Sequence, residues 1–164
     1  MSPSVSPSAP IEIEIDTSEN TRISVKDTSS GFGEIKMAKA IYDYGVDGGG
    51  YARALIPERN VVLPDNAVII GGTINSTTAV TSGSACNLEI GLYKVGSTAE
   101  DLDADAILTS TAKGSFSTDA VINSAITLAA PFKLTEAATI SITPTAVLTA
   151  GVVEIVLYYL VSRG

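Results

Sequence analysis

The chain has 164 residues, ten basic and eighteen acidic side chains and a net charge of −8, with no cluster of Lys or Arg, which argues against direct contact with nucleic acid or an anionic membrane. It holds one cysteine and no histidine, so it has no intrachain disulfide, no Ser–His or Cys–His dyad and none of the commonest zinc ligand. Small and β-branched residues dominate and Trp is absent, a composition that favours strands and short turns within one domain.

Residues 1–10, MSPSVSPSAP, are rich in Ser and Pro and read as extended or disordered. They lack the basic start and apolar run of a signal peptide, so the expectation is cytoplasmic synthesis without Sec export. Ile11, Ile13 and Ile15 alternate with Glu12 and Glu14, as in a half-buried strand. Residues 21–26 repeat the pattern with Ile23 and Val25 on one face, and DTSSGFG (27–33) reads as a loop. Residues 1–33 are thus expected to form an arm of two short strands. A lone hairpin is marginal in water, so this arm should lie on something larger.

The main body is expected over 34–164. Residues 35–44 read as a strand, 45–50 (GVDGGG) as a flexible turn that tolerates positive φ, and 51–56 as the strand resumed. Pro57-Glu58-Arg59-Asn60 and Leu63-Pro64-Asp65-Asn66 carry turn residues. A long strand over 67–80 should bend or bulge at Gly71-Gly72. Residues 85–94 read as a strand with Cys86, Leu88, Ile90 and Leu92 facing one way, which makes Cys86 a small buried hydrophobe.

Residues 97–108 are the one helical candidate: Ser97 or Thr98 could cap it, Glu100 and Asp101 suit its N-terminal end, and Leu102, Ala106 and Ile107 fall near one face. Asp101, Asp103 and Asp105 alternate as calcium ligands do, but Ala106 and Ala112 occupy the places where an EF-hand loop needs Gly and Glu. Gly48-Gly49-Gly50 lacks the Lys-Ser/Thr of a phosphate loop. Tyr42, Tyr44 and Tyr51 flank that turn and read either as sheet packing or as a platform for a sugar or a partner. Strands over 125–128, 139–143 and 151–161 complete the chain. No catalytic, cofactor or metal site emerges, and no enzyme activity is expected.

The last strand, GVVEIVLYYLV, is apolar on both faces apart from Glu154. Its length is about half of the roughly 20 residues a membrane helix needs. Val153, Ile155, Leu157, Tyr159 and Val161 form one set, and Val152, Val156, Tyr158 and Leu160 the other. A sandwich strand normally buries one face only. Val156, Tyr158 and Leu160 are therefore expected to meet either a second subunit or the chain's own arm. About eight strands and one short helix imply an all-β fold, a jelly-roll-like β-sandwich with an extended N-terminal arm.

Three stretches carry a resemblance: YARALIPERNVVLPDNAVIIGGTINSTTAVTSGSACNLEIGLY (51–93), DLDADAILTST (101–111) and ISITPTAVLTAGVVEIVLYYLVSRG (140–164). Together they resemble small β-sandwich virion proteins of tailed bacteriophages, of the capsid decoration (cement) and head-fibre type. The resemblance spans about residues 35–164 and lies in turns and core strands. It implies a homo-oligomer, often a trimer, on the outer surface of a phage capsid, with the major capsid protein as partner and no cofactor. It also implies docking through an extended arm, here Ile11, Ile13, Ile15, Ile23 and Val25, which could add a strand to a capsid protein's exposed edge. The alternative function is a receptor- or carbohydrate-binding module of a head or tail fibre.

Overall fold

Alternating apolar residues build strands through most of the computed structural model, which describes residues 12–16, 22–26, 34–51, 54–96, 101–127 and 129–161. In chain order these are β1 (Glu12–Asp16), β2 (Arg22–Lys26), β3 (Ile35–Asp43), the one-turn helix α1 (Tyr44–Asp47), β4 (Ala67–Ser82), β5 (Asn87–Lys94) and β6 (Asp101–Ala112). A 3₁₀ turn (Lys113–Ser115), β7 (Ala120–Asn123), β8 (Phe132–Lys133), β9 (Ala138–Pro144) and β10 (Leu148–Val161) follow. One sheet runs β1-β2-β3-β10-β4-β7, with β8 also on β4, and the other runs β6-β5-β9. All pairings are antiparallel. The fold is the all-β sandwich expected from the strand spacing.

The core lies between the sheets. Ala38, Ala40 and Tyr42 of β3, Ile69 and Ile74 of β4, and Val153, Ile155, Leu157 and Tyr159 of β10 are buried in one cluster with Leu88, Ile90 and Leu92 of β5 and Ile140 and Ile142 of β9. The final strand thus buries the set that its alternation assigns to the inside. Cys86 is buried in the same cluster, its thiol directed at the carbonyl of Ala146 at 3.6 Å. The expected irregularity of β4 falls at Ile70: Tyr158 pairs with Gly71 but Tyr159 with Ile69, so Ile70 is the extra residue of a bulge.

Each side of the sandwich has a seal. On one side the segment 55–63 bridges the two sheets. Ile41 N–H of β3 donates to Arg59 O (2.8 Å), while Leu55 and Leu63 exchange paired backbone bonds with Ile142 and Ala138 of β9. Between them the Asn60 side chain imitates a peptide group, donating to Ile140 O (2.6 Å) and accepting from Ile140 N (3.4 Å). On the other side, β6 departs from β5: Ile90 pairs with Leu108 but Leu92 with Asp103. The extra residues carry Ile107 into the core, where its carbonyl accepts from Ala125 N (2.7 Å).

Several expected elements differ. The helix over 97–108 is absent from its described part: residues 101–108 belong to β6, and 97–100 lie outside the described residues. Leu102, Ala106 and Ile107 imitate a helical face because the bulge breaks the two-residue period of a strand. The short helix instead begins at Tyr44, where the Asp43 carboxylate accepts from Gly45 N at 2.9 Å and Gly48 ends it at φ 75°. Of the resumed strand at 51–56, residues 52–53 lie outside the described residues, and the described ones make a single bridge at Leu55. Near the strand placed at 125–128, the observed strand lies earlier, as β7; residue 128 lies outside the described residues, and among 125–127 only Thr127 makes a bridge, to Ala130.

Candidate functional site

The outer face of the larger sheet is graded from apolar to polar. Directly opposed residues of antiparallel strands share a face. Across β3, β10 and β4, Leu160 stands between Ile35 and Val68, and Tyr158 between Met37 and Gly71. Val156 stands between Lys39 and Thr73, and Glu154 between Ile41 and Asn75. Lys39 Nζ meets Glu154 Oε2 at 2.6 Å, and both side chains are partly exposed. Such a pair contributes at most about 1 kcal/mol, but it neutralises two charges at the border of the apolar rows. Val156 and Leu160 are half-buried, while Tyr158 is 40% and Ile35 46% exposed. Gly71 presents no side chain beside the Tyr158 ring. The three residues that the final strand singled out thus form one patch together with Ile35, Met37 and Val68.

The hairpin expected in the arm is present. β1 and β2 pair with Ile13 opposite Val25 and Ile15 opposite Ile23. Ile11 lies outside the described residues. The hairpin joins the body by one register pair, Val25 with Ile35, beside the apolar end of the patch. Farther along β3, that edge is taken by Arg59. Among the described residues, β1 ends the sheet and its second edge has no strand beside it.

The three tyrosines around the glycine turn separate. Tyr42 is fully buried, its hydroxyl donating to Gly48 O at 2.8 Å. Burial, and after it the charge of Asp47, push that hydroxyl's pKa well above the usual tyrosine value. Tyr44 and Tyr51 are 39% and 62% exposed. The turn is braced rather than flexible. Asp47 accepts from Asp43 N and from Glu58 N, each at 2.8 Å, and Gly49 O accepts from Leu148 N at 3.0 Å. A groove of about 340 Å³ runs beside it, lined by Tyr51, by Ser82, Gly83 and Ser84, and by Ala146, Val147 and Thr149.

The acidic run lies on β6, where the Asp103 carboxylate accepts from Asp105 N at 3.3 Å. Among the described residues, no three His, Cys, Asp or Glu side chains gather as metal ligands do. No helix among them is long and apolar enough to cross a membrane.

No family model and no curated protein sequence matches the chain. Solved structures do. A chain in the capsid of Ralstonia phage GP4 is similar with a TM-score of 0.56 at 15% identity, over 84% of this chain and 89% of that one. A chain in the cyanophage Pam1 capsid asymmetric unit is similar with a TM-score of 0.55 at 18% identity, over 84% of this chain and 92% of that one. The fold is one found in two phage capsids.

Proposed function

We propose that the chain is a structural, non-enzymatic virion protein that binds the outer surface of a phage capsid as a homotrimer and bridges neighbouring capsomers. The observation that carries this reading is the shared fold with chains of two phage capsids, over 84% of this chain in each case. Two features of the molecule support it. The patch around Tyr158 offers apolar area to another subunit, and burying a large apolar side chain stabilises a contact by roughly 1.5–3 kcal/mol. Among the described residues the hairpin has an open edge at β1, to which a strand of the major capsid protein can pair through main-chain hydrogen bonds. In this division of labour the patch holds the trimer and the hairpin, with Ile13, Ile15, Ile23 and Val25, docks it.

The mechanism is mechanical. A protein held on two capsomers at once raises the work needed to separate them when packaged DNA presses outward, and linked contacts multiply affinity without new chemistry. The direct test adds purified protein to heads that lack it and follows co-sedimentation and resistance to heat. Stable binding that raises the temperature of head disruption supports the proposal. A trimer that leaves the heads unbound overturns it.

A further inference from the structure

The larger sheet ends at β1 on one side and, among the described residues, at β7 on the other. β7 pairs with β4 without a bulge, from Asn123 opposite Thr73 to Ala120 opposite Ser76. Ser124 N donates to Gly72 O at 3.1 Å, which continues that register by one pair and fixes its phase. Bonded pairs alternate with non-bonded ones in an antiparallel ladder, so Ile122 is the residue that bonds to Ile74. The N–H and C=O groups of Val121 and Asn123 therefore point away from β4, out of the edge of the sheet.

Exposed edges are commonly blunted by Lys, Pro or a bulge. Ala120-Val121-Ile122-Asn123 carries none of these. Val121 is 69% exposed, the most of any large apolar side chain among the described residues, and Asn123 is exposed as well. The edge of β9, by contrast, is occupied by the segment 55–63.

The β7 edge is its own complement. A second β7 laid antiparallel, with Ile122 opposite Ile122, sets Val121 of each copy against Asn123 of the other. The two outward residues on each strand then exchange four main-chain hydrogen bonds. The same register carries the exposed Asp119 of each copy toward the end of the other's edge that holds the exposed Lys133, opposite Val68 on β4. Opposite charges thus approach at both ends of the pair. A two-fold contact uses up the edge on both copies, so it joins them in pairs and does not propagate.

We propose that β7 is a self-pairing edge that joins two copies of this chain about a two-fold axis. Four-residue strands cover far less than the roughly 800 Å² a side of a stable interface, so the contact is weak in dilute solution and forms where copies are held side by side. On a capsid it links neighbouring copies into a net. That consequence rests on the function proposed above; the pairing itself does not.

The test uses the full chain in two single variants, Val121→Cys and Asn123→Cys, oxidised separately and as an equimolar mixture, with the bonds located by peptide mapping. Both positions are exposed and the native Cys86 is buried, so neither variant disturbs the core. Opposed residues of a bonded pair lie about 5.5 Å apart at Cα, within disulfide reach. The mixture should join position 121 of one copy to position 123 of the other well above the share expected of random collision. Self-pairs should be minor, because like positions stand on a diagonal about 7–8 Å apart. On purified heads the same mixed bond should form between neighbouring copies. A mixed bond in solution with heads left unbound would support this pairing while overturning the capsid reading. Self-pairs as abundant as mixed ones, no intermolecular bond at about 1 mM protein, or a bond on heads to another protein in place of a second copy would each overturn the proposal.

Discussion

Replacing Tyr158 by Ser tests the proposed trimer contact most directly. Tyr158 keeps 40% of its surface exposed in the single chain. Taking about 200 Å² for a tyrosine, about 80 Å² is left for a neighbour to cover, or about 2 kcal/mol at ~25 cal/mol per Å². Three copies in a trimer sum to about 6 kcal/mol. The half-association concentration of a monomer–trimer equilibrium follows the square root of its dissociation constant, so it should rise by about two orders of magnitude. Sedimentation velocity over a concentration series reads this shift. The ring also packs within its own chain, so thermal unfolding of the dissociated variant should be measured alongside. A variant that stays folded and associates at the same concentration as the parent refutes the assignment of this face to the subunit contact.

Three further outcomes follow from the packing. Gly91→Ala should destabilise the fold by about 3 kcal/mol in denaturant unfolding, because a Cβ there falls on the backbone carbonyl of Ala104, in the bulge of β6. An unchanged midpoint would mean that the bulge does not lie over β5. Ser141 stands opposite Gly91 in register and is fully buried, with no partner for its hydroxyl among the described residues, so Ser141→Ala should be neutral or slightly stabilising, and a loss above about 1 kcal/mol would reveal a hidden partner. Tyr42 has a raised pKa in the folded chain, so its neutral form contributes stability that is complete below the unfolded value of about 10 and declines as pH rises above it. Tyr42→Phe should cost about 1 kcal/mol at neutral pH through the lost bond to Gly48, and its unfolding free energy should fall less steeply than the parent's above about pH 10. Parallel profiles would contradict that origin.

The sheets were legible where burial alternates without interruption. In β10 the phase of Val153, Ile155, Leu157 and Tyr159 identified the inner face, and in β5 Leu88, Ile90 and Leu92 did the same. The outer patch followed from the same phase. What failed were positions governed by distant partners or broken periods. The bulge in β6 puts Ile107 and Leu108 both inside, a pair that strand alternation forbids and helix spacing permits. The segment 55–63 reads as loop because its pairing is supplied by Ile140 and Ile142, some eighty residues away. Of the two readings of the three tyrosines, sheet packing holds for Tyr42, which shares the phase of Ala38 and Ala40 and so belongs with the inner set. The groove beside Tyr51 left no local signal, because its walls come from three separated turns.

The Asn60 mimicry has a consequence for how copies can join. A bare ladder at β9 would recruit any passing extended segment, and copies could then zip together without limit. With a carboxamide standing in for the missing peptide, that flank is closed to recruitment. A molecule with that flank closed cannot extend itself strand by strand into a fibre from that side.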